Sequence, residues 1–387
     1  MENDTKVTVY YGPLAWFEEQ VGRGSRRYLL DAVNERDEAR RRIRHTIDGQ
    51  ESNEEELPAP RPDRLIAMSS DYASVLEHVI TNFVGLVREI SPKQLLLHNP
   101  PKLIHTQLDQ LFETRVESFT YPVVTIDTLI KFRDGFADHL VGQQRVRERM
   151  LAALYPLTTD RRAKPVVLMF YGPSGVGKTE TAHFINGLLG GKLLRKQFSM
   201  FHSDKFLSYV FGGTHSESSF ARDLLDRSSG VILIDEFDKA NSVFHSAFYQ
   251  FFDEGIFEDK NYRVQLGPEL IICTSNYGSE DEIRQALGDA LYSRFDALIL
   301  FEPLSPGEIK QVIDRLAASR LTKLLPDELA RLDPSNIKAR LHTLASGTGN
   351  VRKLGKLVDE VISLVLVRAV LGDFPGSSGQ SDTKDAV

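Results

Sequence analysis

A glycine-rich segment, YGPSGVGKTETA at Tyr171–Ala182, limits the possible folds of this chain more than any other stretch. It has the spacing G-x-x-x-x-G-K-T from Gly172 to Thr179, and it follows the apolar run PVVLMF, which ends at Phe170. That order predicts a buried strand, a tight loop and then a helix. Glycines let consecutive backbone N–H groups surround phosphate oxygens, and the helix start adds its positive end. The segment therefore predicts a phosphate-binding loop.

The last two residues of this loop carry the most specific chemistry. In such loops the lysine, here Lys178, reaches the outer phosphates, and the hydroxyl of Thr179 ligates Mg²⁺. We therefore expect ATP and Mg²⁺ as cofactors. The residues expected to contact the nucleotide through this loop are Gly172, Pro173, Ser174, Gly175, Val176, Gly177, Lys178 and Thr179.

A second motif, VILIDEFDKA at Val231–Ala240, predicts a buried strand that ends in two carboxylates. Asp235 is placed to hold the Mg²⁺ shell through water. Glu236 is placed to orient or deprotonate an attacking water molecule. Because this motif follows the phosphate loop in the same predicted sheet, the two together indicate a site of nucleotide hydrolysis.

The composition narrows the compartment and the partners. A formal net charge of −7 argues against a broad nucleic-acid-binding surface. A single cysteine, Cys273, fits a reducing compartment. The N-terminus lacks a basic-then-apolar signal pattern, and the apolar stretch Val361–Leu371 is too short to cross a bilayer. We expect a cytoplasmic protein with no membrane partner.

The pattern along the chain predicts an α/β fold in several parts, with no visible internal repeat. Residues 1–135 read as an N-terminal α/β or α+β domain with an acidic, proline-rich linker or loop at 48–64, and with one amphipathic helix at 74–90. Residues 136–305 alternate buried strands with helices, as in a doubly wound parallel sheet. Residues 306–371 read as helical throughout, and residues 372–387 as a disordered tail.

The two motifs together resemble those of AAA+ ATPases, and their residues are most similar to those of the Clp-type unfoldase and disaggregase group. The resemblance covers Leu140–Leu371 and leaves the N-terminal region unexplained. It implies a P-loop AAA+ core with a doubly wound parallel sheet and a C-terminal helical lid. It also implies a homo-oligomer, a hexameric ring, that hydrolyses ATP and acts on protein substrates.

Further residues take roles from the resemblance. Val141 and Gly142 match the entry box that borders the adenine, and Asn276 matches the polar residue that helps place the attacking water. Arg294 matches the finger that reaches the γ-phosphate of a neighbouring subunit. Arg352 matches the lid arginine that senses the γ-phosphate of its own subunit, although its context GNVRKL departs from the Gly-Ala-Arg usual in Clp-type lids.

A substrate-gripping pore loop is expected at Tyr209–Gly213, where the resemblance places one. Tyr209 and Phe211 are the candidate gripping rings, since aromatic rings give sequence-tolerant contact with an unfolded chain. The family motif Gly-aromatic-Val-Gly is absent. The alternative is that both rings pack under the loop. Residues 280–290 lack the apolar-Gly-apolar loop that docks a Clp-type peptidase, so we expect no such partner.

Three function classes follow from the sequence. The first is a ring-forming ATPase that remodels or unfolds proteins recruited by its N-terminal region. The second is a nucleotide-gated assembly switch or partner loader that does not thread its substrate, which a silent Phe211→Ala substitution would favour. The third, disfavoured by the acidic balance, is a nucleic-acid motor or loader that binds through Arg40–Arg42 and Arg44.

Overall fold

A computed structural model describes residues 5–45, 61–159, 161–200, 204–240, 242–345 and 349–371, except the side chains of residues 39–45 and of Met200. Three sequence-based expectations fall outside this description. They are most of the linker at 48–64, the tail at 372–387, and the side chains of Arg40–Arg42 and Arg44.

The N-terminal residues fold around a five-stranded, all-parallel sheet. Its strands are β1 (Lys6–Tyr11), β2 (Arg27–Tyr28), β3 (Arg64–Ala67), β4 (Gln94–His98) and β5 (Thr114–Ser118). The helices between them are α1 (Leu14–Val21), α2 (Leu29–His45), α3 (Asp71–Ser74), α4 (Glu77–Thr81), α5 (Phe83–Ile90) and α6 (Lys102–Asp109). We call Lys6–Ser118 the N-terminal unit.

A second five-stranded parallel sheet carries both sequence motifs. Its strands are β6 (Val166–Tyr171), β7 (Leu194–Gln197), β8 (Val231–Asp235), β11 (Leu270–Thr274) and β12 (Ala297–Leu300). A separate antiparallel hairpin of β9 (Ile256–Glu258) and β10 (Arg263–Gln265) precedes β11, as the turn-rich sequence there predicts.

Both faces of the second sheet are buried. Alternate residues of β6 enter two different apolar clusters: Val167 and Met169 pack on one face, and Leu168 and Phe170 on the other. The covering helices are α7 (Ile126–His139), α8 (Gln144–Leu154), α9 (Lys178–Leu189), α10 (Asp204–Phe211), α11 (Phe220–Leu225), α12 (Tyr249–Glu254) and α13 (Glu280–Tyr292). This confirms the continuous apolar strands and the α/β P-loop fold expected from the sequence.

Four helices complete the C-terminal end. They are α14 (Pro306–Leu321), α15 (Pro326–Leu329), α16 (Pro334–Leu344) and α17 (Val351–Leu371). Their buried side chains form an apolar cluster of their own, from Leu304 to Ile362. This helical segment lies where the sequence predicts a lid.

The two sheets have the same strand order. The N-terminal sheet runs β5-β1-β4-β3-β2, and the second runs β12-β6-β11-β8-β7. Numbered along the chain within each sheet, both read 5-1-4-3-2. An architectural repeat therefore exists where the sequence shows none, because strand order can persist when side chains do not.

Two expectations about the N-terminal region are wrong. The predicted helix at 74–90 is three short helices, α3, α4 and α5, with Val75 and Leu76 extended between the first two. The predicted boundary at residue 135 falls inside α7, whose Phe132 and Phe136 pack in the core of the second sheet. Helix α7 therefore belongs with the second sheet, and the N-terminal unit ends before it.

The N-terminal unit docks on the second sheet's unit through polar contacts. The backbone N–H of Lys102 donates to the carbonyl of Asn261 at 2.8 Å, and Arg222 donates to the carbonyl of Ser69 at 2.8 Å. Just after the unit, the ring of Tyr121 lies 3.8 Å from the guanidinium carbon of Arg227. The hairpin β9–β10 and the segment around α11 thus form the docking surface.

Candidate nucleotide-binding site

A cavity of about 540 Å³ opens at the carboxyl ends of β6, β8 and β11. Its volume is in the range of small-molecule sites. The phosphate loop, the end of β8 and the lid all contribute to its walls. Its lining includes Val141, Ser174, Gly175, Val176, Gly177, Lys178, Thr179, Arg195, Asp235, Glu236, Thr274, Asn276, Arg315 and Arg352.

The phosphate loop bends through glycines that no larger residue could replace. Gly172 has φ +123°, and a Cβ there would lie 2.2 Å from the carbonyl oxygen of Phe301. Gly177 has φ +108° and directly precedes the first turn of α9. Positive φ and close backbone approach are the conditions that glycine alone meets at low cost. The loop therefore presents its backbone to the cavity as the sequence predicts.

Lys178 lies at the start of α9 with its ammonium held by the protein's own acceptors. The Nζ atom donates to the carbonyls of Gly172 at 2.6 Å and Pro173 at 2.8 Å, and to Oδ1 of Asn276 at 3.2 Å. Burial lowers the pKa of Lys178 to about 8, against the opposing effect of the nearby Asp238 and Asp235 carboxylates. The lysine is thus fixed between the loop and the end of β11.

The two carboxylates of the second motif occupy the cavity floor. Asp235 ends β8 and is buried, and its Oδ1 lies 3.5 Å from Oγ1 of Thr179. Glu236 follows in the left-handed region, with φ +57°, and its backbone N–H donates to Oγ1 of Thr274 at 3.0 Å. This bend sets Glu236 beside Asp235 on the cavity wall. A hydroxyl and a carboxylate this close form an oxygen donor set that suits Mg²⁺.

Strand β7 contributes two side chains that the sequence reasoning missed. Arg195 donates to Oδ2 of Asp235 from Nε at 3.0 Å, and Gln197 donates from Nε2 to Oε2 of Glu236 at 3.0 Å. Both contacts follow from the register, which sets Gln197 opposite Asp235. The sequence of β7, LRKQ, has no apolar run that would predict a strand. The only indication of β7 in the sequence was that a parallel sheet needs a strand between the two motifs.

The lid touches the phosphate loop directly. The side-chain amide of Asn350 donates to the carbonyl of Ser174 at 3.0 Å, and the backbone N–H of Val351 donates to Gly175 at 2.9 Å. Oδ1 of Asn350 also accepts from the N–H of Arg352 at 3.0 Å, as at a helix N-cap. These contacts bring Arg352 to the cavity, where the resemblance expects a lid arginine.

The entry box lies between α7 and α8. Val141 lines the cavity beside the phosphate loop. Gly142 has φ +70° and faces Glu308 of the lid helix α14, whose carboxylate leaves no room for a Cβ. Gly142 therefore shapes the turn, while Val141 supplies the apolar surface at the expected adenine position.

Arg294 lies away from this cavity. None of the described residues that line the cavity is Arg294. Its guanidinium stacks over the ring of Tyr249 at 5.0 Å and approaches Oδ2 of Asp253 at 3.7 Å. Arg294 thus does not line the cavity of its own chain, and its role at the site of a neighbouring copy stays a prediction.

The candidate pore residues separate into one buried and one exposed ring. Tyr209 is 5% exposed, and its hydroxyl donates to Oδ2 of Asp223 at 2.6 Å. Tyr209 as a gripping residue is therefore wrong, because α10 turns it into the core. Phe211, at the end of α10, is 39% exposed and immediately precedes Gly212, which has φ +84°. Only Phe211 keeps the accessibility that a grip requires.

The N-terminal sheet has no comparable phosphate loop at its matching edge. After β1 the chain passes through only Gly12 and Pro13 before α1 begins. The side chain of Asn99 accepts from the N–H of Gly12 at 3.0 Å and donates to its carbonyl at 2.9 Å. A Cβ at Gly12 would lie 2.5 Å from Cβ of Phe119. Protein atoms thus fill the place that corresponds to the glycine loop after β6.

The structure also bears on membrane association. Among the helices described, α17 included, none combines the length and the apolar character needed to cross a bilayer.

Comparison with known proteins shows which proteins this chain is similar to. Residues 163–333 match the model of the AAA domain (Cdc48 subfamily). The chaperone protein ClpB of Tropheryma whipplei (strain TW08/27) is 31% identical over 185 residues, which are 41% of this chain and 26% of that protein. ClpB of Chlamydia caviae is 25% identical over 353 residues, 79% of this chain and 41% of that protein. The chain thus spans well under half the length of these relatives.

A solved structure supports the same fold. The S. cerevisiae Hsp104–ADP complex superposes with a TM-score of 0.55 at 14% sequence identity, over 79% of this chain and 76% of that one. The matched domain, the relatives and the fold agree: residues 163–333 are similar to an AAA domain, and the chain is similar to Clp-type proteins of the AAA+ ATPases.

Proposed function

We propose that this chain is a Mg²⁺-dependent ATPase that works as a ring and uses hydrolysis to remodel or unfold protein substrates. The observation that carries the proposal is the convergence of Lys178, Asp235, Glu236 and Asn276 on one cavity beside the glycine loop. Similarity to ClpB, named as a chaperone protein, supports protein substrates. The net charge of −7 disfavours nucleic acid.

The residues present fit ATP and Mg²⁺. The backbone N–H groups of Gly175–Thr179 and the Lys178 ammonium would hold the phosphates, and Val141 would border the base. Thr179 and Asp235 would hold the cation, which when bound neutralises phosphate charge.

The chain's own groups then divide the chemistry. Glu236 holds a hydrogen bond from Gln197, which orients its carboxylate, and acts as the base toward water. Asn276 fixes the Lys178 ammonium and presents an amide to the same space. Arg352 approaches from the lid, so lid position and phosphate contact are coupled through Asn350. The Arg294 of one copy serves the site of the next, since it lies apart from its own.

The substrate side of the proposal rests on Phe211 and on the N-terminal unit. Phe211 supplies an exposed ring on a segment that ends in two glycines. The N-terminal unit docks beside this segment through the β9–β10 hairpin and presents protein partners to it. Residues 280–290 lie within α13, which supports the absence of a protruding loop for a Clp-type peptidase.

The first test measures ATP hydrolysis per chain against protein concentration. Wild-type specific activity is expected to rise with concentration, because Arg294 completes a neighbouring site. Arg294→Ala is expected to lower activity by about 10³-fold while ATP binding persists. Glu236→Gln provides the inactive blank, and Arg284→Ala, which removes an exposed arginine of α13 paired with Asp289, is the matched control. Activity that is independent of concentration and of Arg294 would refute a shared site.

A further inference from the structure

Arg195 and Asp235 form a close ion pair inside the nucleotide cavity. Arg195 directs Nε and Nη2 to the same oxygen, Oδ2 of Asp235, at 3.0 and 2.5 Å. Asp235 is 7% exposed at its side chain, whereas Arg195 is 37% exposed. The carboxylate is therefore fixed in the protein, and the guanidinium has open space on one side.

The other oxygen of Asp235 is also in use. Oδ1 accepts from the hydroxyl of Thr274 and lies 3.5 Å from that of Thr179. A carboxylate offers about four lone-pair positions. Two N–H groups and two hydroxyls thus fill the acceptor capacity of Asp235, so a cation that takes Asp235 must displace a protein donor.

Arg195 is the donor that can leave. Thr179 and Thr274 are short side chains on elements that build the site, whereas Arg195 has a long, partly exposed side chain on the edge strand β7. It lines the same cavity as Lys178. A planar guanidinium released there meets its preferred partner, a phosphate group, which it binds with two parallel hydrogen bonds.

We propose that Arg195 is a metal-responsive positioning residue, which pairs with Asp235 in the absence of Mg²⁺ and moves to the phosphates of the bound nucleotide when Mg²⁺ takes Asp235. This rests on the proposed function, since it assumes that the cavity binds a nucleoside triphosphate. It assigns to β7 a role that neither sequence motif includes.

Arg195 would favour nucleotide binding in two ways. Without the cation, it neutralises a carboxylate that would otherwise repel the phosphates. With the cation, it adds a contact to the phosphates. Only the second effect requires Arg195 to leave Asp235, so the nucleotide affinity in Mg²⁺ reports whether Arg195 moves.

The experiment measures the dissociation constant of a fluorescent ATP analogue in saturating Mg²⁺ and in EDTA. Arg195→Ala is expected to raise the dissociation constant in Mg²⁺ by about tenfold, the loss typical of one charge-assisted contact. Arg195→Lys keeps the charge without the fork and is expected to raise it by about threefold. Arg320→Ala, which removes an exposed lid arginine paired with Asp359, is the control and leaves both constants unchanged.

The outcomes separate this proposal from the proposed function. If wild type binds the analogue and Lys178→Ala does not, the nucleotide site stands, and an unchanged dissociation constant in Mg²⁺ for Arg195→Ala then overturns the role of Arg195. If Arg195→Ala does not fold, an unchanged dissociation constant in Mg²⁺ for Arg195→Lys overturns it equally. If wild type and Lys178→Ala bind the analogue alike, the proposed function itself fails.

Discussion

Lys178 shows how one residue combines structure and ligand binding in this site. Its ammonium makes three hydrogen bonds to protein acceptors, two of them carbonyls of the loop that precedes it. These bonds hold the loop closed around a charge that burial disfavours. A phosphate that binds Lys178 must therefore exchange with these acceptors, and it gains a donor that is already oriented.

The lowered pKa of Lys178 predicts a pH dependence of nucleotide binding. Because the folded pKa, about 8, lies below the ordinary lysine value of 10.5, the free protein loses this proton before an unfolded chain does. Nucleotide affinity should change little near pH 7 and then fall through pH 8, approaching tenfold per pH unit, as the neutral amine replaces the ammonium. Titration of the fluorescent ATP analogue between pH 7 and 9.5 measures this.

The control for this titration is Lys178→Arg, whose guanidinium stays charged over the whole range. Its affinity should be lower but independent of pH. The same shift acts on stability with the opposite sign, since protonating a buried lysine costs free energy. The contribution of Lys178 to stability should thus improve as pH rises from about 8 towards 10.5. Equal pH profiles for Lys178→Arg and wild type would contradict the assignment.

At the level of single elements, α10 decides which aromatic ring can contact a substrate. The helix continues to Phe211, so Tyr209 points into the core whereas Phe211, the last residue, is exposed. The aromatic packing of Tyr209 against Phe220 holds the helix in place. The end of α10, rather than a flexible loop, therefore presents the candidate grip.

This arrangement predicts that a substitution at Phe211 changes substrate affinity, whereas one at Tyr209 changes stability. Phe211→Ala should weaken the affinity for an unfolded test protein by about tenfold or more, as loss of an aromatic anchor does, with thermal stability unchanged. Tyr209→Phe should lower the free energy of unfolding by about 1 kcal/mol through the lost bond to Asp223, with substrate affinity unchanged. Binding of a fluorescently labelled unfolded protein and thermal melting measure the two. A silent Phe211→Ala would favour a switch that does not thread.

The burial of each strand explains which strands and site residues could be predicted from the sequence. Strands β6, β8 and β11 are buried on both faces, so each reads as an apolar run, and the site residues at their ends follow from the motifs. Strand β7 lies at the sheet edge and β2 has two residues, so neither has an apolar signature. Arg195 and Gln197 were missed for this reason.

The contact between Asn350 and the phosphate loop could not be predicted either. The two residues are separated by 176 positions along the chain. Nothing local in GTGNVRKL indicates that its asparagine bonds to Ser174. Such pairs depend on the packing of the lid cluster against the core, which single-sequence patterns do not encode.

At the scale of the whole molecule, the two sheets share a strand order, but of the two loops after β1 and β6 only the second has the glycine-rich sequence and the lysine. We therefore predict that each chain binds one nucleotide. The N-terminal edge has no lysine after Gly12 and Pro13, and Asn99 already satisfies the backbone there. Lys178→Ala should therefore abolish nucleotide binding altogether, and wild type should bind one equivalent. Equilibrium dialysis with radiolabelled ADP and ATP gives this stoichiometry. Binding of a second equivalent, or residual binding in Lys178→Ala, would contradict a single site.

The docking of the N-terminal unit ties it to the end of α10. The backbone N–H of Lys260 donates to the carbonyl of Phe211 at 2.9 Å, and the neighbouring Asn261 accepts from Lys102 at 2.8 Å. A displacement of Phe211 is thus transmitted through two consecutive hairpin residues to a second, five-stranded sheet. If Phe211 moves as the proposed grip, the N-terminal unit must move with it or the bond between Lys102 and Asn261 must break.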